Sequence, residues 1–475
     1  MGTRPSVCRN CKRLELRLAE LERQLAAALV RIAELEGQLA AARKDSSTSS
    51  KPPSSDIVKP PPASSGKPGR PRKRRIGGQS GHPRHARPPF PPEQIDHTWE
   101  YEWSQPVEHW QPLLNEFRIV QQVELRDKLF DVVEHRAQLY RHQESGRIEA
   151  APLPSEVVRG GLIGPRLSAL LAYQKGACHM SYGLIQRFCR DVLELPISTG
   201  ELAKVVQKAS SALEPAHEQG RRALPQQSRL NVDETGHPEC GRQLWAWGFH
   251  APGPHGFTWY HIDAARSSEV LLAFLGEAFS GVVGCDYHSA YRKFLRETPA
   301  EVQFCWAHLI RDVKFLATLS DRVTRRWGGK LLVPIKRLFR TWHRREEMSA
   351  ESWRRAADQA RRAVLEAVRR PPPRSEAQNV AERFRAHGDQ YFTFLELPDV
   401  EPTNNAMEQR FRFVAQDRKL TQGTRGDAGQ RWCERIWTVL ATCAQQGRSA
   451  FRFIEESIHA LFKGRPFPTL LLQNP

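Results

Sequence analysis

The chain has 475 residues, 40% of them apolar, and a formal net charge of +18. That length suits two to four domains with a sizeable core, whereas no apolar run approaches the roughly 18 residues of a membrane span and the N-terminus lacks the apolar core of a signal peptide. The excess of Lys and Arg favours a polyanionic partner through phosphate neutralisation and counterion release, over a merely solvated basic surface.

Nine cysteines are scattered without framework spacing. An odd, irregular set points to a reducing, cytoplasmic setting. Residues 12–44 read as one helix with a heptad seam: Leu14, Leu18, Leu21, Leu25, Ala28, Ile32, Leu35 and Leu39 alternate steps of four and three. Such a stripe is buried by a partner helix, so a homo-oligomeric coiled coil is expected, with packing on the chain's own body as the alternative. Cys8 and Cys11 precede it as a lone pair, too few ligands for a zinc site.

Residues 45–95 form a linker rich in Ser and Pro, whose composition cannot build a core. Within it, Gly69-Arg70-Pro71 is followed by Arg72, Lys73, Arg74 and Arg75. An extended arginine segment of this kind suits a narrow A·T minor groove, and suits general phosphate attraction equally well. Residues 96–150, with Trp99, Trp103 and Trp110, read as a small strand-containing module. Residues 151–222 read as a helical DNA-binding region. Short paired helices near Ser181 fit helix-turn-helix binding or ordinary packing, and Ser198 to Glu201 fit a capped helix start.

Residues 225–320 change character. Apolar runs at 229–233, 244–249, 256–262, 282–286 and 302–305 predict five strands, with a helix begun by Ser267 between the third and fourth. Three strands of a meander and a crossover to a parallel strand give a mixed, helix-covered sheet of the α/β class. Residues 321–400 read as a basic helical insertion, and residues 401–465 as the last helices.

Three acids stand out. Asp233 and Asp286 each end an apolar run, the place where open sheets hold ligands. Glu408 lies in a helical pattern far downstream. Three carboxylates brought together suit two Mg²⁺ or Mn²⁺ ions and phosphodiester cleavage. Glu234, next to Asp233, alternates to the other face of its strand and is disfavoured. Arg410, Arg412, Arg418 and Lys419 follow Glu408 and are candidates for the DNA backbone. The tryptophans at 245, 247, 259, 306, 432 and 437 sit at core-like spacings.

The ordered set of motifs resembles the transposases of the insertion sequence 66 family. The residues carrying it are Ser49 to Asp56 after the leucine-rich helix, Val232 to Thr235, Asp286 to Tyr291, Cys305-Trp306-Ala307-His308 with Arg311, and Asn404 to Glu408 with Arg412, Arg418 and Lys419. The resemblance implies a ribonuclease H-like catalytic domain interrupted by a helical insertion, with Asp233, Asp286 and Glu408 as the metal-binding catalytic triad. It implies that Cys305, His308 and Arg311 support the site, and that double-stranded DNA, both element ends and target, is the partner. Short accessory proteins and a nucleoid-associated location are further implications. The family's cysteine-rich module has no counterpart, since residues 90–150 contain no Cys, so no zinc is expected. Gln409 stands where Arg is common in the family, and Thr403 where Asp is common. The alternatives are a non-enzymatic oligomeric DNA-binding protein derived from a transposase, and a metal-dependent nuclease that cuts without joining.

Overall fold

β-branched and aromatic runs between residues 229 and 304 build a five-stranded mixed sheet in the computed structural model. The structure describes residues 9–42, 89–101, 118–123, 125, 129–397 and 399–472. The Cys8–Cys11 pair and the basic run with Arg70, Arg72, Lys73, Arg74 and Arg75 lie outside the described residues and side chains.

The chain divides into two units, residues 61–136 and the remainder. In the smaller unit the described residues hold a single turn of 3-10 helix at Pro92–Gln94, and the Gln121 amide bridges the backbone of Phe90. In the larger unit the order begins with α1 (Arg9–Ala42), then a hairpin of β1 (Leu139–Arg141) and β2 (Ile148–Ala150). Four helices follow: α2 (Ser155–Gly160), α3 (Pro165–Gly176), α4 (Tyr182–Val192) and α5 (Thr199–Ala223). The sheet and its crossovers come next: β3 (Arg229–Glu239), β4 (Arg242–His250), β5 (Thr258–Asp263), α6 (Ser268–Leu275), β6 (Val282–Cys285), α7 (Ser289–Glu297) and β7 (Glu301–Phe304). The rest is helical: α8 (Trp306–Leu316), α9 (Arg322–His343), α10 (Ala350–Val368), α11 (Ser375–His387), α12 (Thr393–Glu396), α13 (Asn405–Thr421), α14 (Asp427–Gln445) and α15 (Ala450–Lys463). Among the described residues no helix is long and apolar enough to cross a membrane.

The strands run in the order β5-β4-β3-β6-β7. The meander is antiparallel, and β6 and β7 join it in parallel. The expected mixed α/β sheet is therefore present, with β3 longer than its apolar run. A two-residue turn at Cys240-Gly241, both at positive φ, lets β3 and β4 continue as one tight hairpin. Asp233 thus lies inside a strand rather than at its end. It still lies beyond the parallel pairing with β6, which stops at Asn231 opposite Gly284.

Both faces are covered, as the two-residue period of the strands requires. Leu230, Val232, Trp247, Phe249 and Trp259 join one core with α6, α7 and α8; Ala246, Tyr260 and Ile262 join another with α5, α13, α14 and α15. Trp247, Trp259, Trp306 and Trp437 are fully buried, so these rings serve packing. Ser198 caps α5 by accepting from Glu201 N at 3.1 Å. Ser267 precedes α6 without capping it, because its hydroxyl bonds Glu269 instead.

Side chains close the β5 edge of the sheet and engage part of the β7 edge. On β5 the outward N–H groups of Thr258, Tyr260 and Ile262 donate to Thr442, Thr438 and Glu434, at 3.0, 3.1 and 2.8 Å. The match is geometric: a four-residue step along α14 advances about 6 Å, close to a two-residue step along a strand, about 6.8 Å. On β7 the carbonyl of Val302 accepts from Thr393 Oγ1 at 2.8 Å, and Gln303 Oε1 accepts from Phe394 N at 2.8 Å. Thr438→Val with Thr442→Val strips two buried strand N–H groups of acceptors. Each is expected to cost about 1–3 kcal/mol in denaturant unfolding, with Thr→Ser at the same positions close to neutral.

Candidate active site

Asp233, Asp286 and Glu408 come from three elements whose backbones meet at two residues. Cys305 N donates to the carbonyl of Cys285 at 2.7 Å, next to Asp286. The Cys305 sulfur accepts from Asn404 N at 3.1 Å, at the start of α13, and Asn404 Nδ2 donates to the carbonyl of Val232 at 2.8 Å, next to Asp233. Trp306 N adds a bond to Pro402 O at 3.0 Å. Cys305 and Asn404 therefore bind the backbones beside all three acids, and Glu408 follows one helical turn after Asn404. Burial pushes the Cys305 thiol up to about 11, so it serves here as a neutral acceptor.

Gly248 completes the arrangement. It lies directly opposite Asp233 on β4, and a Cβ there would stand 2.2 Å from Met407 Cε and 2.9 Å from Phe411 Cζ. The missing side chain is what lets α13 lie against the sheet and bring Glu408 to the face that carries Asp233. Nothing local in the sequence marks this glycine; its partner is more than 150 positions away.

Glu234 points to the other face. Its carboxylate is buried, held by Arg266 at 2.7 Å and by the Tyr291 hydroxyl, and so serves as an internal counter-ion. Burial raises the Asp233 carboxyl well above the usual range, and the charges of Glu234, Asp286 and Glu408 add to the effect. Asp286 is pushed up to about 7, chiefly by burial and then by Glu234; His288 N, donating to its Oδ1 at 2.9 Å, opposes the shift. Glu408 leans on Arg311, which donates at 3.1 Å. His308 Nδ1 is 3.5 Å from Glu408 Oε1. Burial lowers the imidazole's proton affinity, and neither atom makes a hydrogen bond among the described residues.

Carboxylate oxygens are the donor type that hard divalent cations take. Asp233 and Asp286 strongly resist bearing unscreened charge, and Glu408 Oε1 is buried without a hydrogen-bond partner among the described residues. Asp233, Asp286 and Glu408 do not together form a close grouping of ligand atoms. The grouping of ligand-type atoms within 4.8 Å among the described residues is Cys305, His308 and Glu408. The raised acids make a signed prediction. A carboxyl whose folded pKa exceeds its unfolded value stabilises the fold at low pH and loses that contribution as pH rises through the folded value. In EDTA, the melting temperature of the wild type relative to Asp286→Asn is expected to fall between about pH 4 and about pH 7, from the ordinary carboxyl value to the raised one.

The basic residues of α13 divide. Arg410 turns inward, donating to Thr258 Oγ1 at 2.9 Å and Ala406 O at 2.8 Å. Arg418 donates to Thr235 Oγ1 at 2.8 Å and to Gly236 O. Both are committed to holding α13 on the sheet, whereas Arg412 and Lys419 are exposed, as is Gln409. The same helix is clasped further along: Asp417 accepts from Trp437 Nε1 at 2.8 Å and meets His179 Nδ1 at 2.9 Å.

The family model described as "Transposase IS66 family" matches residues 160–431. A second, described as a family of unknown function (DUF6444), matches residues 4–88. No curated protein matches the chain.

Proposed function

The chain belongs to the Transposase IS66 family, whose model spans more than half of it, and from that premise we propose that it is a DNA transposase acting through Asp233, Asp286 and Glu408 on a ribonuclease H-like core. The observation that carries this reading is the joint anchoring at Cys305 and Asn404, which fixes the backbones beside all three acids. Asp233, Asp286 and Glu408 would hold two Mg²⁺ or Mn²⁺ ions. Bound there, such ions supply activation of the attacking oxygen and stabilisation of the leaving one.

The chain's own residues do the rest. Cys305, Asn404 and Gly248 set the approach of α13 to the sheet, and Arg311 with His308 aim the Glu408 carboxylate. Arg412 and Lys419, exposed on the same helix, would neutralise the phosphates of DNA lying across the acids. Water attacks a phosphodiester at the element end and releases a 3′-hydroxyl. That hydroxyl then attacks a target phosphodiester and displaces a new 3′-hydroxyl, so no covalent protein intermediate forms. The test is incubation of the full chain with element-end duplex, target duplex and Mg²⁺. Joined strands support the proposal; hydrolysed ends alone favour a nuclease, and binding without cleavage a repurposed DNA-binding protein.

Self-association through α1 belongs to the same proposal. Its 34 residues leave Leu14, Leu18, Leu21, Leu25, Ile32, Leu35 and Leu39 exposed along one seam, an arrangement that gains from a second copy. Deletion of residues 9–42 is expected to lower the mass measured by light scattering to that of a smaller assembly. An unchanged mass removes α1 from the assembly.

A further inference from the structure

We propose that the groove between α8 and α9 is a seat for unpaired nucleotides of the DNA strand, an inference that rests on the reading of the protein as a DNA-processing enzyme and extends it to a second surface. The groove has a volume of about 530 Å³, with a floor of Ile310, Leu332 and Phe339 and a rim of Lys314, Lys336 and Arg340.

Its position ties it to the acids. α8 carries His308 and Arg311, which touch Glu408, and on the same helix Ile310 and Lys314 line the groove. Arg311 and Lys314, three residues apart, are neighbours on one side of α8, so the groove begins one helical turn from the residue that holds Glu408. Its charge is one-sided. α9 holds seven Lys and Arg residues and no Asp or Glu. None of Lys314, Lys336 and Arg340 has an ion-pair or hydrogen-bond partner among the described residues, and the acid on the neighbouring turn of α8, Asp312, is paired with Arg383 at 2.8 Å. Lys336 and Arg340 stand one helical turn apart on the same side, about 6 Å.

Cations over an apolar floor select between forms of DNA. A duplex offers phosphates outside and keeps its bases stacked within, so only the rim would find a partner. A single strand presents both, with phosphates on the rim and a base face on Phe339, whose ring is partly exposed and braced edge-on by Trp306 at 6.1 Å. Close packing beneath keeps the floor in place: at Gly328 of α9 a Cβ would stand 2.9 Å from Leu316 Cβ, so the helices approach through that glycine.

The test uses the full chain in EDTA, which prevents cutting, with three fluorescent probes: a thymidine 12-mer, an abasic strand of equal length, and a 12-base-pair duplex. Lys336→Ala with Arg340→Ala is expected to weaken the thymidine strand about 5-fold or more, to lower its salt slope by about 1.4, and to change duplex binding less. The wild type is expected to prefer the thymidine strand over the abasic one, and Phe339→Leu, which keeps most of the packing volume, to lose that preference. Wild-type affinity and slope in the double variant overturn the proposal, as does undiminished discrimination in Phe339→Leu. A wild-type protein that neither cuts nor joins DNA, with the groove variants still losing the single strand, sinks the transposase reading and leaves the groove. Cleavage that depends on Asp233 with unaltered groove variants does the reverse.

Discussion

Asp233→Asn should abolish Mg²⁺-dependent strand cleavage, by at least about 10³-fold, equivalent to about 4 kcal/mol of barrier, while the protein stays folded. Asparagine keeps the shape and removes the charge. The charge is one the fold tolerates poorly, since burial and the charges of Glu234, Asp286 and Glu408 all favour the protonated acid. The variant should therefore melt at or above the wild-type temperature near neutral pH, and Mg²⁺ should raise the melting temperature of the wild type but not of the variant. Glu234→Gln separates chemistry from scaffolding. Its buried carboxylate is paired with a partly exposed Arg266 and accepts from the Tyr291 hydroxyl, so removing the charge weakens both bonds and should lower the melting temperature. Cleavage measured on element-end duplex, with melting curves taken with and without Mg²⁺, decides both. Full activity in Asp233→Asn would falsify the site.

Gly248→Val is expected to lower cleavage about 100-fold, because a displacement of about 1 Å in a catalytic group has that effect, and to cost about 1–3 kcal/mol through overpacking. The added carbons would overlap Met407 Cε and press on Phe411 Cζ, and α13 would move away from β4 with Glu408 on it. Gly248→Ala should be milder, because the Met407 side chain is flexible, and Met407→Ala combined with it should recover most of the activity. Recovery is the informative result: a helix pushed off the sheet can be let back, whereas a generally damaged fold cannot. If Gly248→Val cuts DNA at the wild-type rate, the close approach of α13 has no bearing on catalysis.

The strands were legible because their apolar runs are short and bounded by turns, and the parallel crossover followed from their order. Asp233 and Asp286 drew notice because each ends such a run, and Glu408 because it lies in a helical pattern far downstream. Legibility failed where the decisive contact joins distant segments. Gly248 reads as an ordinary glycine in an aromatic strand until Met407 and Phe411 are set beside it. Thr438 and Thr442 read as indifferent helix residues, and only the neighbouring edge of β5 gives their hydroxyls a purpose. Arg410 and Arg418 read as DNA ligands because charge is visible in a sequence and direction is not; both turn inward to oxygen acceptors on the sheet. The extension of β3 past its apolar run was hidden for a related reason, since the antiparallel partner that sustains it is polar at that end.

The closed β5 edge of the sheet carries a consequence for how copies of the protein meet. A sheet grows by offering free amides and carbonyls to another chain's strand. Here Glu434, Thr438 and Thr442 occupy those of β5, while Thr393 and Phe394 engage the border of β7. The β5 border, with these amides already engaged, is therefore a poor place to recruit a strand from a neighbour or a misfolded copy. Copies that met at this border would have to do so through helix faces, and could separate again without either giving up part of its own sheet.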